Sequence, residues 1–120
     1  MRRVLIVDDE EDARALLSRL VAYAGCEPFE VASGEEALGR WEEIAPNCVL
    51  VDLKLPGLSG WDVLSAIQSR GLAGRVIVIA ITSFYDRDVE LGVIEAGFDG
   101  FLEKPVQVGR LFELIKETER

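Results

Sequence analysis

The chain has 120 residues, 49% of them hydrophobic and 29% charged, with a formal net charge of −9 from 13 basic and 22 acidic side chains. That length suits one ordinary globular domain, able to bury roughly two-thirds of its unfolded surface without staples. The acidity opposes contact with a phosphate backbone, so no direct nucleic-acid binding is expected, and no apolar run approaches the ~20 residues that span a bilayer.

The opening MRRVLIVDDE carries basic residues, but its apolar run VLIV is too short for a secretory signal, so a cytoplasmic location is expected. Taken in chain order, short apolar runs alternate with stretches of helical period. Strand one is Arg3–Val7, continuously apolar over Val4-Leu5-Ile6-Val7 as in strands covered on both faces. Helix one, about Glu11–Ala24, sets Ala13, Leu16, Leu17, Leu20, Val21 and Ala24 on one stripe and stops at Gly25. Strand two is Glu27–Val31. Helix two opens at Ser33 with Glu36 in the capping-box position and runs to about Ala45, before Pro46.

Strand three is Cys48–Val51. Helix three begins at Ser59, with Asp62 in the matching capping place, and carries Val63, Leu64 and Ile67. Strand four, Val76–Ile81, is apolar throughout. Helix four, about Asp86–Ala96, ends at Gly97; strand five is Gly100–Glu103; helix five carries Val108, Leu111, Phe112 and Ile115. Cys26 and Cys48 fall near the starts of strands that are not neighbours, ~10 Å apart and beyond the ~7 Å reach of a disulfide, so buried free thiols are expected. Trp41, Trp61 and Tyr85 are read as packing residues. Five strands alternating with five helices predict a doubly wound α/β domain with a parallel sheet, over residues 1–120, without repeats or linker.

In such a sheet, ligands bind outside the carboxyl ends of the strands. Strand one ends in Asp8-Asp9, strand three in Asp52, strand four in Thr82-Ser83 and strand five in Lys104-Pro105. Three carboxylates, one or two hydroxyls and one amine therefore converge on one edge. Two unit charges about 4 Å apart repel by about 4 kcal/mol at an effective dielectric near 20, so the cluster needs a cation. The chain has no histidine, and an all-oxygen set with few carboxylates suits Mg²⁺ better than Ca²⁺. A carboxylate can also be a nucleophile that carries a phosphoryl group. Such a transfer needs a metal and a lysine to neutralise the oxygens, and donors to hold them. The acids in the run after Asp9, namely Glu10, Glu11 and Asp12, are explained by the helix dipole alone.

The segments VLIVDDEEDAR, VLVDLKLPGLSGWDVL, VIAITS and FLEKP resemble the response-regulator receiver family of bacterial two-component systems, from end to end. Thirty residues from Asp52 to Thr82 and twenty-two from Thr82 to Lys104 are also the family's spacings. The resemblance implies a flavodoxin-like five-stranded sheet of order 2-1-3-4-5, as in chemotaxis regulators. It implies Asp52 as phosphoacceptor and Asp9 as a direct Mg²⁺ ligand, with Asp8 acting mainly through water and the backbone carbonyl of Lys54 as a further ligand. Thr82 and Lys104 would each hold a phosphoryl oxygen, and the Lys104–Pro105 bond would be cis. Phe101 takes the place of the switch aromatic and lacks a hydroxyl. Lys54 and Phe84 occupy positions that vary and tune phosphoryl lifetime, while Pro56 and Gly60 match the loop after the acceptor.

The implied function is a phosphorelay switch rather than an enzyme, catalysing only its own phosphorylation and dephosphorylation. Its partners would be a sensor histidine kinase or phosphotransfer protein, and an output protein or domain meeting the face of helix four, strand five and helix five. Two other classes fit less well. A haloacid-dehalogenase-like phosphatase needs a second aspartate where Lys54 stands and a later acidic motif for which there is no room. A flavodoxin-like electron carrier needs a first loop that cradles phosphate, which DDEEDA would repel.

Overall fold

The computed structural model describes residues 2–72 and 74–117. The apolar runs become β1 (Arg3–Val7), β2 (Glu27–Val31), β3 (Cys48–Asp52), β4 (Ile77–Thr82) and β5 (Gly100–Glu103). They pair in parallel in the order β2-β1-β3-β4-β5. Around them lie α1 (Glu11–Tyr23), α2 (Gly34–Gly39), α3 (Trp41–Ile44), α4 (Gly60–Ser69), α5 (Arg87–Ala96) and α6 (Val108–Glu117).

The period of two along each strand divides the core. Val4 and Ile6, with Leu50, Ile79 and Ile81, pack against Leu17 and Val21 of α1 and Leu111, Leu114 and Ile115 of α6. Leu5 and Val7, with Val49, Val51, Val78 and Ala80, pack on the opposite face against Ala37, Trp41, Val63, Leu64, Ile67 and Val93. Each such aliphatic side chain, once buried, contributes about 1.5–3 kcal/mol, which is why continuous runs like Val4–Val7 settle in the centre. Cys26 and Cys48 are buried and form no disulfide, and burial pushes the Cys48 thiol up to about 12.

One predicted element differs. The single helix expected from Ser33 to Ala45 is two, so the described residues form six helices and not five. Arg40, at φ −105° and ψ 12°, interrupts it. Gly39 supplies the weak point, because glycine inside a helix costs about 1 kcal/mol relative to alanine. The turn then lets Trp41 and Ile44 bury on the core, while the Arg40 guanidinium lies 3.4 Å from Glu36 and 2.9 Å from Glu43. Glu36 donates its amide to Ser33 as the cap requires, but its carboxylate accepts from Ala32. At Ser59 and Asp62 the box closes in both directions.

The entry into α4 depends on a close approach to β3. A Cβ on Gly60 would stand 2.6 Å from the Asp52 carbonyl oxygen and 2.9 Å from Leu53 Cα. Gly60→Ala should therefore cost about 1–3 kcal/mol by overpacking. Urea unfolding would read this as a lower midpoint at unchanged slope. An unaltered midpoint would show that the backbone gives way freely there.

Candidate functional site

Asp8 follows β1, Asp52 closes β3, Thr82 closes β4 and Lys104 follows β5. All four thus sit at the carboxyl edge of the sheet, beside the β1–β3 boundary where the connections change direction. Asp8 and Asp52 are 0% and 4% exposed, an unusual depth for two carboxylates unless positive charge meets them.

Lys104 meets them. Its Nζ donates to Asp52 Oδ2 at 2.8 Å and lies 2.7 Å from Asp8 Oδ2 and 3.4 Å from Glu10 Oε1. Asp8 Oδ2 is fully buried yet has no well-directed hydrogen bond, so its short contact with the ammonium acts through charge. The other carboxylate oxygens are held by backbone: the Glu10 amide donates to Asp8 Oδ1 at 3.0 Å and the Lys54 amide to Asp52 Oδ1 at 2.9 Å. Arg14 Nη1 donates to the Asp8 carbonyl at 2.9 Å while its Nε lies 3.4 Å from Glu30, pinning the turn from β1 into α1.

The electrostatics point one way. Burial pushes the Asp52 carboxyl above its ordinary value; Lys104 and the Lys54 amide pull it down, and Asp8 raises it further. Burial alone would lower Lys104, but its hydrogen bond to Asp52 and the charges of Asp52 and Asp8 outweigh it and hold the ammonium above its usual value. Asp52 is raised chiefly by burial, with Asp8 adding a smaller push, while the Lys104 shift reflects the acids around it; with three acids to one ammonium, the pocket favours an added cation.

Among the described residues, Asp8, Glu10 and Asp52 each offer a carboxylate oxygen within 4.8 Å of the others. An oxygen-only set with a buried, undirected Asp8 Oδ2 fits a hard divalent ion such as Mg²⁺. Glu10 was not expected here. Its side chain makes no capping bond to α1, and its backbone is still extended at φ −87° and ψ 115°. The chain bends at Asp9 and the Glu10 amide donates to Asp8 Oδ1, a local turn that sets Glu10 beside Asp8. An aspartate two residues before Glu10 was the available signal. Asp9, between them, is exposed and lies outside the group of three, but lines the same cleft of about 540 Å³ with Asp52, Lys54, Ser83 and Phe84.

The remaining residues surround this cleft. The Thr82 hydroxyl donates to the Phe84 carbonyl at 3.3 Å and accepts from the Phe84 amide at 3.1 Å, so it is turned into its own loop. Lys54 Nζ stands 4.9 Å from the Phe84 ring centroid, joining the loops that follow β3 and β4. The Lys104–Pro105 peptide bond is cis. Phe101 is half-buried, its ring 5.8 Å from that of Tyr85, and both line a second open cleft of about 590 Å³ along α5, β5 and α6.

A doubly wound sheet of order 2-1-3-4-5, with buried acids and a lysine at its carboxyl edge, defines a phosphorelay receiver type of domain. The chain belongs to that family: the model of the response regulator receiver domain matches residues 4–116. The polar-differentiation response regulator DivK of Brucella ovis is 32% identical over 115 residues, covering 96% of this chain and 94% of the relative. The structure of a response regulator receiver domain protein from Clostridium thermocellum superposes with a TM-score of 0.87 at 28% identity, covering 98% of this chain and 93% of that one. The chemotaxis protein CheY4 of Vibrio cholerae gives 0.89 at 23% identity, with 99% of both chains covered, a likeness of fold. The protein is a receiver domain of a two-component response regulator, a family that works between histidine kinases and output domains.

Proposed function

We propose that Asp52 accepts a phosphoryl group from a phosphohistidine donor and that the domain is a switch thrown by this event. The observation that carries the reading is Asp52 itself, 4% exposed at a strand end, with Lys104 Nζ 2.8 Å from Oδ2. One Asp52 oxygen forms the O–P bond as the donor's N–P bond breaks, and the departing imidazole keeps the electron pair. Mg²⁺, held by Asp52 and by acids from the β1–α1 turn (Asp8, Asp9 and Glu10), with the Lys54 carbonyl as a further ligand, would neutralise charge on the phosphoryl oxygens. Lys104 turns from Asp52 to one of those oxygens and Thr82 gives up its Phe84 contacts for another.

Withdrawal of Thr82 from its loop opens room for the Phe101 ring to turn inward and repack the face of α5, β5 and α6. That face meets the output protein or domain, and the phosphoryl group biases the two packings only by its different contacts with each. The donor is a sensor histidine kinase or a phosphotransfer protein in the cytoplasm. The reading includes no direct contact with nucleic acid or membrane, and the net charge of −9 opposes a phosphate backbone. Residues 1–120 act as one receiver unit, catalysing only its own phosphorylation and dephosphorylation.

The test is mass spectrometry after incubation with acetyl phosphate and Mg²⁺. One added phosphoryl group is expected, mapped to the peptide containing Asp52 and lost when EDTA replaces the metal. Labelling elsewhere, or labelling indifferent to EDTA, would contradict the proposal.

A further inference from the structure

We infer that Glu10 is a charge gate on this site, strengthening its hold on a divalent cation while opposing the approach of multiply charged phosphodonors. The inference rests on the reading of Asp52 as acceptor for its second half only. Glu10 offers an oxygen within 4.8 Å of those of Asp8 and Asp52, and Oε1 lies 3.4 Å from Lys104 Nζ. It also lines the open cleft through which Asp52 is reached. No capping bond ties its side chain to α1, which leaves the carboxylate turned towards Lys104 and the two aspartates.

The charge at that point acts with opposite signs on the two reactants. A divalent cation settling between Asp8 and Asp52 gains attraction from a third carboxylate close by. An incoming phosphodonor carries negative charge and passes the same carboxylate on its way to Asp52. Lys104 cannot cancel both effects, because its single charge is already shared among three acids at 2.7, 2.8 and 3.4 Å. The Glu10 side chain is 65% exposed, so solvent and salt weaken its field but leave the sign. Exposure also means that its substitution leaves the core intact.

Glu10→Gln keeps the shape and removes the charge. Titration calorimetry with Mg²⁺ alone should show weaker binding, on the order of threefold to tenfold at low ionic strength. Labelling of Asp52 at saturating Mg²⁺ should become faster with acetyl phosphate, a dianion, by a larger factor than with phosphoramidate, a monoanion. Both changes should shrink in about 0.5 M salt, where the Debye length is only a few ångströms. Glu11→Gln, the same charge change one residue on, is the control and should alter neither. Equal Mg²⁺ affinity in Glu10→Gln and wild type would overturn the first half. An equal speed-up for both donors, or none, would overturn the second. A wild type that is never labelled would instead refute Asp52 as acceptor, and the calorimetry would still decide the role of Glu10 towards the cation.

Discussion

Asp52→Asn is expected to abolish phosphoryl incorporation, by about a hundredfold or more, and at the same time to stabilise the metal-free protein. The first effect follows from losing the nucleophile. The second follows from where the carboxylate sits. Burial and Asp8 hold the Asp52 carboxyl above its ordinary value despite Lys104, so its ionised form is a net cost to the fold. Lys104 would keep Asp8 at 2.7 Å and Glu10 at 3.4 Å, and no ammonium would be stranded. A higher melting temperature than wild type is therefore expected at pH 7 in EDTA. The folded state binds this proton more tightly than the unfolded chain, whose aspartates titrate near 3.9. The cost is therefore fully present above the folded value, fades as pH falls through it, and is gone below about 4, where both states are protonated. Melting curves at pH 7 and pH 3 should show the advantage of Asp52→Asn at the first and little at the second. A variant less stable than wild type at pH 7 would mean that the Lys104 pairing outweighs burial.

Lys104→Met should have the opposite sign. The substitution keeps a long apolar stem and removes the ammonium that stands within 3.4 Å of all three acids. Removing one partner of a buried ion pair costs about 3–5 kcal/mol, and the lower end applies here because the Lys104 side chain is 13% exposed. In EDTA the melting temperature should fall by about 10 °C. A cation that binds only the native state returns about 2.7 kcal/mol at a hundredfold excess over its dissociation constant. The variant should gain more from Mg²⁺ than the wild type does, since no ammonium competes for Asp8 and Asp52. Calorimetric scans with EDTA and with saturating Mg²⁺ would measure both. Identical melting in EDTA would remove Lys104 from the stability of the cluster, and identical Mg²⁺ gains would show that ammonium and cation do not share these acids.

Much of this architecture was legible along the chain. Val4–Val7 and Ile77–Ile81 are apolar without interruption, which only strands covered on both faces tolerate, and the alternation with helices made the sheet parallel. The Ser59–Asp62 box could be read because all its atoms lie within one turn. The break at Arg40 could not, since Gly39 merely weakens the helix and the gain from burying Trp41 belongs to the packed core.

The same division runs through the site. Strand ends and residue types were enough to bring Asp8, Asp52, Thr82 and Lys104 to one edge, because a parallel sheet carries every strand's carboxyl end to the same side. Glu10 was hidden by a sufficient local explanation, as acids at a helix start are favoured by the dipole alone. Its contact with Lys104, ninety-four residues away, exists only once β1 and β5 share a sheet. Tertiary structure likewise decided that Lys104 lies between Asp8 and Asp52, and that Thr82 turns to Phe84. Patterns of period two or 3.6 act over a few bonds and are written in neighbouring residues. Which charges meet depends on competition in a common low-dielectric space, which no segment defines before the sheet has closed around it.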